Sequence, residues 1–378
     1  MVPGSERPAV PDPSPRSPLR RLMPKLVLSV ALGGLFAWIV ARSGVPTVPP
    51  GEAFASVTWW AVPAYAASLL VTHFLRAARW RHLIAPVKRL PLREVILLNW
   101  VGFFAIFALP MRLGEMARPA LTKARQRVPM SVGIGTIAAE RVIDGLVTSL
   151  CVAWAVLALP RIESADPIAR RVPALGLSAV ALFTAAFVAL GLFLYKRDFA
   201  VRLTERTLGL VSAGLAKKLS SKVENLADGL RSLKSARLLL AFLFETALYW
   251  LSNAAGMWLL LVGCGIESHL GHGVAVMGVL AIGILLPAGP GLFGSFQLAV
   301  ASGLRLYFPE ATVGSEGAVY IFLMYTMQAI VMTLTGALPL VFMDVRLGDL
   351  MVPAPAAEAP EPAPRPRAAN LAEDERAP

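Results

Sequence analysis

Arg112, Glu115 and Arg118 stand three residues apart in the run LPMRLGEMARPAL, residues 109–121. On a helix that spacing brings all three onto one face. Two guanidiniums beside one carboxylate suit an anionic headgroup, because the forked donors of arginine match phosphate oxygens. The carboxylate would hold the arginines in place or meet a cationic group. Pro110 breaks the preceding helix and Gly114 permits close backbone approach. Further on, AAERVIDGL (residues 138–146) sets Glu140, Arg141 and Asp144 inside an apolar run. Glu140 and Asp144 are one helical turn apart, and Arg141 is spaced to pair with Asp144 at i, i+3. Ionisable groups at such depth are expensive and point to function, although a salt bridge locking two helices explains the cluster equally well. Glu245, Tyr249 and Asn253 share a further face, for which interhelical hydrogen bonding is a sufficient role.

A second broken run, LLPAGPGLFGSFQ (residues 285–297), carries Pro287, Pro290, Gly291, Gly294 and Gln297. Pro290 and Gly294 repeat the spacing of Pro110 and Gly114. The half-helix that follows is placed to aim its N-terminal amides at an anion; a tight turn with close helix packing is the plainer reading. These proline and glycine positions are the candidates for a gate. Catalysis and metal binding have no comparable signal. His73, His82, His269 and His272 form no HExxH pattern, Cys151 and Cys264 have no CxxC partner, and no GxSxG or Walker loop occurs. No cofactor, no metal and no enzymatic activity are expected.

The elements that must position these residues are unusually apolar. Hydrophobic types make up 56% of the 378 residues and charged types 16%, against roughly 25% charged in soluble domains. That excludes a soluble enzyme with a polar surface, a disulfide scaffold and a disordered chain, and leaves an all-α polytopic membrane protein. The net charge of +12 fits basic cytoplasmic loops and anionic lipid. No nucleic-acid partner is expected, since no zinc-finger spacing, basic zipper or aromatic sheet motif accompanies the charge.

About eight hydrophobic segments follow. Residues 26–41, 54–75, 132–158, 173–195, 237–262 and 317–343 are expected to be full spans, while 94–110 and 273–308 are broken by proline and glycine. If the broken stretches dip in and return, the N-terminus, 76–93, 111–131, 196–237 and the C-terminus share one side. That side then holds 30 of the 36 Lys and Arg, as the positive-inside rule requires. Each half reads span, span, broken hairpin, span, which is the pattern of an inverted repeat with a site at its interface. Two ordinary spans kinked by proline are the alternative. The expected divisions are a disordered Pro-rich cytoplasmic tail (1–23), a membrane domain (24–345) with repeats at about 24–160 and 173–345, and a disordered Pro/Ala-rich tail (346–378). Leucine and valine recurring every three or four residues over 208–233 mark a basic amphipathic helix within about 198–236. A partner-binding helix fits the same stripe.

LPMRLGEMAR, the ERVIDG run some 25 residues later, and PGLFGSFQ occur here in that order. Together they resemble the lysylphosphatidylglycerol synthase transmembrane-region family, the flippase-like module that also forms the membrane part of bacterial multiple peptide resistance factor. The resemblance covers about residues 24–345. It implies a lipid translocase, or an integral membrane protein that binds anionic, phospholipid or polyprenyl headgroups, in a bacterial inner membrane with both termini cytoplasmic. In that reading Arg112, Glu115, Arg118, Glu140, Arg141 and Asp144 form the substrate site. A non-transporting scaffold for a lipid-modifying enzyme or glycosyltransferase is the alternative, and a membrane-embedded transferase using Glu140 or Asp144 as base is a third. The family's late motif usually reads PGGLG followed closely by Glu. Here Leu292 replaces the second Gly and Gln297 takes the Glu position, so no carboxylate role carries over there. No aminoacyl-transferase domain is recognised after residue 345.

Overall fold

Several helix boundaries fall at prolines, as at Pro91, Pro129, Pro167 and Pro309. In a computed structural model, residues 48–109, 114–195, 235–285 and 290–343 are described, together with Val27, Ala31, Gly34, Leu35, Trp38 and Pro46. Every regular element among them is helical. The main helices are α1 (Ala61–Ala78), α2 (Trp80–Ile84), α3 (Leu92–Ala108), α4 (Ala117–Gln126), α5 (Met130–Ala158) and α6 (Pro167–Tyr195). After them come α7 (Ala236–Gly263), α8 (Leu270–Gly283), α9 (Ser295–Leu304), α10 (Glu310–Gly314) and α11 (Glu316–Met343). Leu109, which precedes Pro110, turns to φ −90°, ψ 140° and ends α3, the extended conformation that a following proline imposes. Arg127 closes α4 at φ 55°, and Pro129 then starts α5. Pro167 takes the first position of α6, where its missing N–H costs nothing; the Asp166 carboxylate caps that helix by accepting the Ile168 and Ala169 amides at 2.7 and 2.8 Å.

Among the described residues, four helices are long and apolar enough to cross a membrane: Met130–Ala158, Pro167–Phe193, Ala236–Gly263 and Glu316–Ala337. They coincide with four of the six expected spans, so the chain is a helical membrane protein. Of the expected span at 26–41, the described residues Val27, Ala31, Gly34, Leu35 and Trp38 are helical and exposed. The one expected at 54–75 begins late. Residues 51–54 form a 3₁₀ turn, and the chain then crosses to α7, where the Thr58 amide donates to Gly263 O at 2.8 Å. Its helix is α1, shifted toward the C-terminus and ending beyond Arg76. The tails at 1–23 and 346–378 and the basic helix at about 198–236 lie outside the described residues, apart from Ser235 and Ala236.

α1 and α7 are antiparallel partners. Thr58 meets Gly263 at one end, Ser252 Oγ donates to Ser68 O at 3.4 Å midway, and Arg79 reaches Thr246 at the other end. α3 and α4 form one helical hairpin, α8 and α9 another. The first has both ends together, since Lys88 Nζ donates to Gln126 O and Gln126 Nε2 donates to Glu94. At the second, the His272 ring lies 5.5 and 5.0 Å from those of Tyr307 and Phe308. α5 starts where the first hairpin closes and ends where the second begins, with Leu159 beside Gly271. The two hairpins therefore enter the helix bundle from opposite ends. Their packing is reciprocal: α5 lies along α8, and α11 lies along α3. One apolar core joins α1, α5, α7, α8, α9 and α11, and a second surrounds α2, α3, α4 and α5.

Candidate functional site

Asp144 falls at the middle of the 29-residue helix α5, and around it the apolar packing gives way to charge. Arg79, in the break between α1 and α2, donates Nη2 to Asp144 Oδ2 at 2.6 Å and Nη1 to Oδ1 at 2.7 Å. The same Nη1 reaches Thr246 Oγ1 at 3.0 Å, and Trp250 Nε1 lies 3.3 Å from Asp144 Oδ1. The guanidinium also sits over the rings of Tyr249 and Phe242 at 4.7 and 5.1 Å. Arg79 is 1% exposed, so its charge is carried by this one bidentate pair and the two aromatic faces.

Two more pairs complete the layer. Arg118 on α4 donates to Glu140 and, at 2.5 Å, to Asn99 Oδ1, with its guanidinium 5.1 Å from the Trp80 ring. Trp80 Nε1 in turn donates to Thr136 Oγ1 at 3.0 Å. Arg141 does not pair with Asp144 as its spacing suggested. It reaches across to Glu115 at 3.1 Å, because the bidentate Arg79 already occupies both Asp144 oxygens. Arg79 and Arg81, counted among the six Lys and Arg of the basic stretch 76–93, are drawn into the bundle. Arg81 pairs with Glu245 at 2.5 Å, and His82 Nε2 is 3.1 Å from the same oxygen. Helix α7 thus supplies the carboxylate that draws this segment inward.

Arg76 is the exception. Its guanidinium stacks over the Phe103 ring at 4.3 Å and makes no hydrogen bond or ion pair among the described residues. It opens into a cavity of about 180 Å³ bounded by α1, α3, α5, α6, α7, α8, α9, α11 and the tip of the second hairpin. Leu69, Met257, Met277, Leu280, Phe296 and Met332 make its wall apolar, while Arg141, Asp144, Tyr249 and Trp250 supply a polar side. Among the described residues, three buried atoms on the lining lack partners: Thr72 Oγ1, His73 Nδ1 and Asn253 Oδ1. Unpartnered buried polar atoms are costly, and here they gather around a cation that feels Asp144 only at a distance, through no direct ion pair among the described residues. A smaller recess of about 20 Å³ between Gly114, Glu115 and Glu140 shares Arg76, Arg141 and Asp144 with the cavity.

The hairpin tips frame this space. A Cβ on Gly114 would overlap the Ala105 carbonyl and the Ile106 amide, so only glycine lets α4 turn back onto α3. In the second hairpin Gly291, Leu292 and Gly294 have φ of 69°, 59° and 84°. Tyr325 Oη donates to Gly291 O at 3.1 Å, and the Phe107 ring of the first hairpin packs against the same glycine. Gln297 is 5% exposed and accepts the Gly294 amide through Oε1 at 2.7 Å. It acts as the cap of α9, a task needing an oxygen acceptor and no charge.

Of the residues singled out by spacing, Glu115, Arg118, Glu140, Arg141 and Asp144 are brought together in the charged layer. Arg112, Pro110 and Pro287 lie outside the described residues. Spacing did not single out Arg76, Arg79, His73 or Asn99. Arg76 and Arg79 stand at i, i+3 in HFLRAARW, the same signal that marked Arg112 and Glu115, but loop composition masked it. Tyr249 and Asn253 line the cavity while Glu245 serves Arg81, so that helix face divides between two tasks.

A family model described as lysylphosphatidylglycerol synthase TM region matches residues 26–336. The chain belongs to that family. The match spans both hairpins and the whole charged layer, so the resemblance carried by the three motifs holds across the membrane domain. Neither a curated protein nor a solved structure matches the chain.

Proposed function

We propose that this protein of the lysylphosphatidylglycerol synthase TM region family binds the anionic, phosphate-bearing headgroup of a membrane lipid at Arg76 and carries it between leaflets. The observation behind the reading is the Arg76 guanidinium, which makes no hydrogen bond or ion pair among the described residues and stands beside three polar atoms without partners there, in a cavity with a largely apolar wall. A guanidinium donates to two phosphate oxygens at once, and Thr72 and Asn253 are placed to serve the remaining polar atoms of a headgroup. The apolar wall accommodates the upper acyl chain.

In this reading α3–α4 and α8–α9 are re-entrant hairpins, related by an inverted repeat over about 24–160 and 173–345, within a bacterial inner membrane with both termini cytoplasmic. Support comes from their entry at opposite ends and from the reciprocal packing of α5 on α8 and α11 on α3. The paired layers at Arg79–Asp144 and Arg118–Glu140 are structural and fix the wall around the site. Alternating access then needs the tips at Gly114 and Gly291 to part in turn.

The reading is tested by leaflet-resolved transport of a fluorescently tagged anionic phospholipid in proteoliposomes. Transport by the wild type that falls roughly tenfold or more in Arg76→Gln supports it, since one charge-assisted contact contributes about 1.5–3 kcal/mol. Equal rates for the two proteins would remove Arg76 from the site.

A further inference from the structure

At the end of the molecule away from Lys88, the connection between α5 and α6 shapes a second concavity of about 490 Å³. That size is within the ~300–1,000 Å³ range of small-molecule sites. Leu157, Leu159 and Pro173 form an apolar side, and Arg161, Arg170 and Glu163 a charged one. Neither arginine has an ion pair among the described residues; Arg170 makes only a 3.5 Å contact with Ala165 O. Asp166, four residues before Arg170, is committed elsewhere. Asp166 pairs with Arg305 at 3.0 Å and caps α6. Arg305 itself is neutralised by Asp166 and by Glu310 at 2.6 Å. Two cations against the single carboxylate of Glu163 leave the groove positive.

The groove is also held in shape. The Ile162 amide donates to Leu306 O at 2.9 Å, and Asp166 is anchored as above, so the backbone is pinned on both sides of Glu163. Its level is interfacial. Leu157 is 78% exposed and Trp154 49% exposed at the end of α5, and the exposed Trp59 and Trp60 stand at the same end of α1. Exposed tryptophans collect where headgroups meet hydrocarbon. An apolar side facing the acyl region and two guanidiniums facing water match a phosphate attached to a lipid.

We propose that the Arg161/Arg170 groove is a second headgroup site, taking the phosphate of an anionic glycerophospholipid from the leaflet at that end. The site is separate from the Arg76 cavity and does not depend on transport. Arg161 and Arg170 supply the donors, Glu163 limits the charge the site accepts, and Leu157 and Leu159 receive the first carbons of the chain.

The test is photolabelling of the full-length protein in phosphatidylcholine nanodiscs doped with phosphatidylglycerol carrying a headgroup diazirine, with adducts mapped by mass spectrometry. Adducts within residues 156–173 are expected for the wild type and for Arg76→Gln. In Arg161→Gln/Arg170→Gln they should fall roughly tenfold or more, with an unchanged melting midpoint because neither side chain has an ion-pair partner to lose. Glu163→Gln should raise them. Undiminished labelling in the double variant would overturn the site. Equal labelling by a diazirine diacylglycerol lacking phosphate would overturn the phosphate assignment, and complete competition by inorganic phosphate would assign the groove to the free ion. Loss of these adducts in Arg76→Gln alone would show that the groove is no separate site.

Discussion

Arg79 and Asp144, 65 positions apart in the chain, meet through two parallel hydrogen bonds of 2.6 and 2.7 Å. The pair joins the end of α1 to the centre of α5, and Thr246 and Trp250 bring α7 to the same point. Three helices are thereby registered at one depth, directly beside the Arg76 cavity.

Removing one member of that pair leaves the other buried and uncompensated. Asp144→Asn is expected to cost about 3–5 kcal/mol, read as a lowered melting midpoint in detergent. Arg79→Met/Asp144→Leu should recover part of the loss, since Arg79 is no longer stranded while Arg76 and Arg141 still lose the neighbouring Asp144 charge. A double variant as unstable as the single one would show that the pair does more than hold the helices.

Gly114→Ala should be the most damaging small change in the first hairpin. The added carbon meets the Ala105 and Ile106 backbone, which cannot rotate away as a side chain can. A cost of about 3 kcal/mol or more is expected, with transport lost in step. Stability equal to wild type would contradict the close approach of α4 to α3.

Leu292 occupies the left-handed region at φ 59°, at the position where the family motif usually has a second glycine. Leu292→Gly should stabilise the protein by about 0.5–1 kcal/mol, the relief of strain exceeding the added freedom of the unfolded chain. A clear loss of stability would mean that the leucine side chain contributes more than its backbone costs.

Gln297→Glu should retain stability and activity, because a carboxylate oxygen accepts the Gly294 amide as the amide oxygen does. Gln297→Leu removes the acceptor and should cost about 1 kcal/mol. If the Leu variant transported as well as wild type at equal stability, the cap would be dispensable.

The membrane class and four long helices were legible because apolar runs of that length have few other uses. The hairpin breaks at Gly114 and Gly291 were legible through their prolines and glycines. Pairing was not. Arg141 and Asp144 share a helix face, yet each takes a partner from another element, and no local spacing encodes Glu115 reaching Arg141 or Arg79 reaching Asp144. Composition also concealed two inward-turned arginines at 76–93, where charge density read as a basic loop on the inner side. Arg79 points inward because α5 and α7 offer carboxylate and aromatic surface, contacts more than 60 residues away in sequence, and Arg76 lies over the Phe103 ring of α3.

Native mass spectrometry of the purified protein tests the Arg76 site most directly. Wild type released gently from membranes should retain a phosphate-bearing lipid, and its delipidated form should rebind an anionic glycerophospholipid in preference to diacylglycerol. Arg76→Gln, folded and with the Arg161/Arg170 groove intact, should lose that lipid from the central cavity, lowering the bound count by one. An unchanged count and affinity in Arg76→Gln would contradict a headgroup site at Arg76.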